Sequence, residues 1–313
     1  MIFIEPEVSK VRMKGAITIQ PNLAPTLRIA LIRGFWFLRD TLMLKTVVAS
    51  RFAKPMGYGK TAPCLIGCED ADGKETELIV KFGAGCELKQ RGLATEALVA
   101  MLGADLDLPV PEPFLVDVSA QFVATIPETD ERHRRAKANA RASLGLNFGS
   151  KKLPPGFSSH PKGKRLPGSL LPLAAEILAF DIFLANPDRV VANANFLIKG
   201  ESVAIFDHEL ALFTEGIIGW VEPWKPGGIA LLKNLPDGQR HVFLDDVRRE
   251  PLDLSRLIGA FETISDVRLN DYRAAVPPVW IGDGKALDRM LDYLRGLRQN
   301  LDSAVKELRK ALS

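Results

Sequence analysis

From Lys45 onward, short apolar runs alternate with Gly, Pro and Asp: TVVAS, APCLIGC and ELIVKF are rich in Val and Ile, and Asp72-Gly73 separates the last two. That punctuation predicts three antiparallel strands over residues 45 to 82, with a hairpin turn at Asp72-Gly73. A helix follows over about Gly92 to Gly103, and PVPEPFLVDV and QFVATI then read as two further strands joined by a turn. Further on, LPLAAEILAFDIFLAN has the apolar density of a buried helix. NFLI and VAIF predict a hairpin around Lys199-Gly200, and two amphipathic helices close the pattern, at about 284–297 and 300–312. Upstream, Leu27, Ala30, Leu31, Phe35, Leu38 and Leu42 recur near helical spacing, which predicts an amphipathic helix over 24–44 that docks on the body or on a partner subunit.

Composition changes this picture mainly in the middle of the chain. From Glu131 to Gly168 branched apolar residues thin out, and the stretch between Thr129 and Leu166 has ten Lys and Arg against two acids. This predicts a solvated linker or mobile loop. The chain then divides into an N-terminal extension (1–44), a β-rich lobe (45–127), a basic Gly/Pro-rich loop (128–169) and a helical lobe (170–313). The fold class expected is α+β and bilobal. At 313 residues and 47% hydrophobic the chain is long enough for two cores, while a net charge of +3 is too mild to mark it as a nucleic-acid or membrane binder. Three cysteines (Cys64, Cys68, Cys86) and four scattered histidines encode neither a disulfide framework nor a zinc site. The apolar stretch LRIALIRGFWFLRDTLML is broken by Arg28, Arg33, Arg39 and Asp40, so it is no membrane span. The first residues lack a signal peptide's apolar region, and a cytoplasmic setting is expected.

Candidate chemistry begins at KPMGYGKTAP. GKT at 59–61 suggests a P-loop, but Lys54 stands where the first Gly belongs and Pro63 precludes the helix that must follow. A Gly-rich turn between antiparallel strands can instead cover phosphates with backbone N–H groups, although Gly57 and Gly59 also fit an ordinary turn. Lys81 interrupts LIVKF, where desolvation of an ammonium calls for an anion; a solvated edge is the alternative. Glu96 lies on the apolar face with Leu93 and Ala100 and calls for a cation, for which Lys81 is the candidate. NPDRVVANANFLIKGESVAIFDHE then places Asp188, Asn193 and Asp207 at the ends of a hydrophobic hairpin. Phosphoryl transfer needs a carboxylate beside the attacking hydroxyl and oxygen ligands for magnesium; the competing reading makes these residues plain turn and cap residues.

Taken together, NPDRVVANANFLI, AIFDHELAL, GYGKTAPCLI, LIVKF, LPVPEP and LNFGS resemble the HipA-like kinase family, related in fold to phosphatidylinositol kinases and protein kinases. The resemblance runs from about Lys45 to Leu294 and implies a small antiparallel-sheet lobe, a helical lobe, and ATP and Mg2+ as cofactors. It implies Asp188 as catalytic base or hydroxyl-orienting group and Asn193 and Asp207 as magnesium ligands. Gly57, Tyr58, Gly59, Lys60, Thr61 and Lys81 would contact the nucleotide, with Glu96 steadying Lys81. Arg189 and His208 belong to the site without an assigned role. Val190 and Val191 replace the histidine that family toxins carry shortly after the catalytic aspartate, and Tyr58 and Thr61 stand in a loop whose serine is autophosphorylated in those toxins. The implied acceptor is a serine or threonine of a protein. A toxin–antitoxin role would add an antitoxin or a second copy as partner. A lipid or small-molecule kinase and a nucleotide-binding pseudokinase are the alternatives. The basic loop is either a solvated loop or a surface for an acidic protein or an RNA-associated substrate, with only Phe148 and Phe157 among its charges.

Overall fold

The computed structural model describes residues 44–57, 61–216, 219–229, 235–248 and 250–313. The amphipathic helix expected over 24–44 lies outside them, apart from Leu44, and so do Tyr58, Gly59 and Lys60. Five strands form a closed barrel: β1 (Lys45–Pro55), β2 (Cys64–Glu69), β3 (Glu75–Lys81), β4 (Pro113–Val118) and β5 (Gly145–Lys151), in the order β1-β2-β3-β5-β4. All neighbours are antiparallel except β1 and β4, whose parallel pairing from Lys45↔Phe114 to Val48↔Asp117 closes the ring. Val47, Ala49, Cys64, Ile66, Leu78, Val80 and Val116 fill the barrel core. The three cysteines are buried free thiols, and burial pushes Cys64 and Cys68 up to about 12, so they pack as small apolar groups.

Helix α1 (Gln90–Asp105) follows β3, and its residues from Gly92 to Gly103 are all buried. A helix apolar all round is buried on every side. It packs against β4 and β5 and also against helices from the end of the chain. Its residues belong to the larger core, which includes Phe148 of β5 and the helical lobe. At its C-terminal end Asp105 accepts hydrogen bonds from Arg268 Nε and the Tyr272 hydroxyl, both at 2.5 Å.

Two expectations fail between β4 and the helical lobe. QFVATI is not a strand: Ala120–Thr125 form helix α2, capped by Ser119, whose hydroxyl accepts from Phe122 N at 3.1 Å. The stretch from Glu131 is not a loop throughout. Glu131–Arg141 form α3, where Asp130 accepts from His133 N and Ala136 and Ala140, four apart, bury against the barrel; residues 145–151 are β5. Apart from the turn at residues 142–144, the part that lacks regular structure runs from Lys152 to Pro167, with an isolated bridge at Ser158.

The helical lobe begins with α4 (Leu171–Phe183), buried like α1, followed by the hairpin β6 (Phe196–Lys199) and β7 (Ser202–Ile205). Short helices α5 (Leu244–Val247), α6 (Ser255–Glu262), α7 (Asp266–Ala275) and α8 (Pro278–Ile281) lead to the amphipathic pair α9 (Lys285–Gln299) and α10 (Leu301–Leu312). Trp280 on α8 donates from its indole N–H to Leu146 O of β5 at 2.9 Å, which ties this lobe to the barrel. No helix among the described residues is long and apolar enough to cross a membrane.

Candidate active site

Successive side chains in a strand point to opposite faces. Leu78 and Val80 face the barrel interior, so the pleat turns Lys81 outward, beside its register partner Phe148 and onto the face covered by α1. There Lys81 is 7% exposed. Its ammonium donates to Glu96 Oε2 of α1 at 2.8 Å and to Asp207 Oδ1 beyond β7 at 2.6 Å, with Glu209 Oε2 at 3.9 Å. Burial alone would lower the lysine pKa, but Glu96, Asp207 and Glu209 together hold it well above its usual range. Burial would likewise raise Glu96, and Lys81 instead keeps it well below the usual carboxylate range.

Asp207 has φ 65°, a left-handed conformation unusual for a residue with a side chain. That turn directs its carboxylate back toward Lys81 and lets the next backbone N–H, of His208, donate to Glu96 Oε2 at 2.8 Å. Glu96 therefore fixes both the lysine and the segment that carries Asp207.

Asp188 sits half-buried in the turn between α4 and β6. Asn193 Nδ2 donates to both its carboxylate oxygens at 3.0 Å, and Asn195 Nδ2 donates to Oδ2 at 2.8 Å. Burial raises the Asp188 pKa and the nearby charge of Asp207 adds to the rise; the two amides oppose it. Asp188 only accepts, so Asn193 presents its nitrogen there and keeps its carbonyl oxygen free for another partner.

Arg189, the next residue, is 1% exposed and turned into the protein. Its Nε donates to Asp181 Oδ2 at 2.6 Å, Nη1 to the carbonyls of Asn195 and Phe206, and Nη2 to His208 Nε2 at 2.8 Å. An arginine only donates, so His208 Nε2 accepts and the imidazole carries its proton on Nδ1, which faces Glu96 Oε1 at 3.7 Å. His241 Nε2 completes the cluster 3.0 Å from Asp181 Oδ2. Against the cost of burial, Arg189 and His241 hold Asp181 well below the usual carboxylate range, while burial lowers His241.

The arrangement brings together Lys81, Glu96, Asp207 and His208, and separately joins Asp188 to Asn193, with Arg189 connecting the two sets. Of the phosphate-loop candidates, Gly57 is exposed with φ 43° and nothing within 4 Å of where a Cβ would stand, and Thr61 is buried; Met56 N donates to Pro63 O at 2.8 Å to close the β1–β2 turn. Sequence reasoning missed Asn195, Asp181, His241 and Glu209. A carboxylate inside AEILAFDIF carries the same signal that singled out Glu96, and Asp181 was open to that reasoning. Asn195 and Glu209 carry no such signal, since amides and acids near turns are common.

The donors suit a hard divalent cation. Glu209 Oε2 is buried without a hydrogen-bond partner, and three carboxylates face the single Lys81 ammonium, so the cluster has an excess of negative charge. Among the described residues no group of three or more His, Cys, Asp or Glu is arranged to hold a metal alone. Magnesium fits that pattern, because it takes one or two protein carboxylates and completes its shell with water and substrate phosphates.

The sequence model of the HipA-like kinase family matches residues 49–217, more than half of the chain, and spans every residue of the cluster around Lys81 and Asp188 except His241. This chain belongs to the HipA-like kinase family. The structural neighbours include the Helicobacter pylori proinflammatory kinase CtkA, with 13% identity, 86% of this chain and 99% of that chain covered, and a TM-score of 0.47. The Rio2 kinase of Chaetomium thermophilum, solved with ADP/Mg2+ and phosphoaspartate, has 16% identity over 91% of this chain and 74% of that chain, at a TM-score of 0.31. A Leishmania major MAP kinase has 12% identity over 92% and 88% of the two chains, at 0.25. No curated protein sequence matches the chain significantly.

Proposed function

We propose that this chain is an ATP- and Mg2+-dependent kinase that transfers the γ-phosphoryl group to a serine or threonine hydroxyl of a protein. The observation that supports the reading most is the buried Lys81 ammonium, held between Glu96 of α1 and Asp207 beyond β7. A scaffold protein has no use for a desolvated lysine shared by carboxylates from two parts of the fold; a phosphate-binding site does. In this reading Lys81 meets the nucleotide phosphates and the turn from Gly57 to Thr61 covers them. Asp188, fixed by two amides, orients the acceptor hydroxyl and takes its proton. Asp207 and the free carbonyl oxygen of Asn193 hold magnesium, which neutralises phosphate charge when bound.

Arg189 faces inward, so it offers no substrate contact in favour of a lipid or small-molecule acceptor. The test incubates purified protein with γ-labelled ATP, Mg2+ and a lysate, beside Asp188→Asn. The reading expects label in a protein band that the variant loses; label confined to the lipid fraction, or none, contradicts it. The toxin role implied by the family resemblance has its own measurement: induced expression should arrest growth, and Asp188→Asn should relieve the arrest.

A further inference from the structure

Glu209 has no part in the reaction as proposed, yet it is 3% exposed beside Lys81. Its Oε1 accepts from Glu87 N, just ahead of α1, at 3.3 Å, and its Cβ packs where Gly92 leaves room: a Cβ on that glycine would stand 3.7 Å away. The side chain is therefore fixed. Its other oxygen, Oε2, is buried with no hydrogen-bond partner among the described residues. The Cys86 thiol nearby is a weak donor and turns its Sγ to Phe82 O at 3.6 Å. A buried carboxylate oxygen without a donor costs stability, and a partner in a second state of the site would account for it.

That partner is within reach. Lys81 Nζ lies 3.9 Å from Glu209 Oε2, and a shift of about 1 Å closes the gap to hydrogen-bond distance. An ammonium has three N–H donors. Two of them go to Glu96 Oε2 and Asp207 Oδ1. Asp207 is also the carboxylate assigned to magnesium, so loading the site draws away the lysine's partner at 2.6 Å, in a buried place where a poorly paired charge is expensive. Glu209 stands ready to replace it.

We propose that Glu209 is a positioning residue, the alternate partner of the Lys81 ammonium. Lys81 pairs with Glu96 and Asp207 in the metal-free protein, and with Glu96 and Glu209 once Asp207 serves the metal. Two carboxylates then still hold the lysine, its third N–H is left for a phosphate oxygen, and Glu209 Oε2 gains its donor. The inference rests on the kinase reading for the metal and the nucleotide; the exchange between the two carboxylates is a property of the chain itself.

The deciding experiment therefore needs no metal. Glu209→Gln keeps an oxygen for Glu87 N and places an amide NH2, which cannot accept, where Oε2 faces Lys81. Asp207→Asn removes the charge of the first partner, and Asn tolerates the φ of 65° found there; Asp207→Gly, which suits that φ as well, takes its place if the Asn variant does not fold. Melting of the full chain without Mg2+ is compared for wild type, the single variants and the double variant. With Asp207 in place, Glu209→Gln should leave Tm within about 1 °C or raise it. In the Asp207 variant it should lower Tm by about 3 °C or more. An equal change in both backgrounds marks Glu209 as a structural acid only and overturns the inference. A second series titrates Mg2+ against wild type and Glu209→Gln with a non-hydrolysable ATP analogue, reading the ligand-induced rise in Tm. The variant should need about tenfold more Mg2+ for half of that rise, and an unmoved midpoint overturns the inference. A direct metal ligand would move this midpoint too, but would leave the metal-free cycle additive. Absence of any rise in wild type counts against the kinase reading, while the metal-free cycle still decides for or against the exchange.

Discussion

Asp188 works in this account as a base only when ionised, and its surroundings make ionisation harder. Burial and Asp207 raise its pKa, so the acid limb of the kcat/KM profile should lie above the range of an ordinary aspartate, about 3.9. Asn195 favours the charged form by donating to Oδ2, and Asn195→Ala should move that limb to still higher pH. A pH–rate series on both proteins checks the direction; an unmoved limb removes Asn195 from the site. Asp188→Asn should lower turnover by about 10²- to 10⁴-fold, the usual range for losing a general base. Lys81→Met leaves Glu96 and Asp207 without their cation and should cost about 3–5 kcal/mol of stability, read as a lowered denaturant midpoint. Stability has its own pH signature through His241. Burial lowers its folded pKa, so the unfolded chain binds the proton first; stability is complete above about 6.5 and declines as pH falls below it. His241→Gln should flatten that decline in a thermal-melt series between pH 7 and 5, and an equal slope in both proteins contradicts the assignment.

At the scale of elements, what could be read from the chain depended on whether an element's partners were local. The β1–β2–β3 meander, the buried α1 and α4, the β6–β7 hairpin and the amphipathic α9 and α10 all follow from period and turn chemistry, and all are present. β5 was hidden because LNFGS is short, bears two glycines if Gly145 is counted, and pairs only with β3 and β4, which lie well before it in the sequence. Helix α2 was mistaken for a strand because six residues of QFVATI type satisfy either period; the Ser119 cap was the discriminating signal. The site was legible where a charge interrupts an apolar run, as at Lys81 and Glu96. It was illegible where the partners are amides and backbone carbonyls, as around Asp188 and Arg189. The barrel's packing offers a separate check: a Cβ at Gly149 would lie 2.7 Å from Val116 Cγ2 and 3.1 Å from Leu78 Cδ1. Gly149→Ala should therefore destabilise by about 1–3 kcal/mol, visible in urea unfolding, and a neutral result would mean that β5 sits more loosely than described.

For the molecule as a whole, the barrel and the helical lobe meet through α1, the Trp280–Leu146 hydrogen bond and the Lys81–Asp207 pair. Two of these ties are apolar or backbone contacts, and the third consists of groups assigned to nucleotide and metal. Binding of Mg2+-ATP should stabilise the fold according to its occupancy, by about 2.7 kcal/mol at a hundredfold excess over Kd. The most direct test of the central claim is phosphoryl transfer from γ-labelled ATP, with thermal melting on the same samples, for wild type, Asp188→Asn and Asp207→Ala with and without Mg2+. Wild type should show Mg2+-dependent labelling of protein and an ATP-induced rise in Tm. Asp188→Asn should show the rise without the labelling, and a folded Asp207→Ala should show neither. Labelling that survives Asp188→Asn, or an undiminished ATP-induced rise in Asp207→Ala, would contradict the claim.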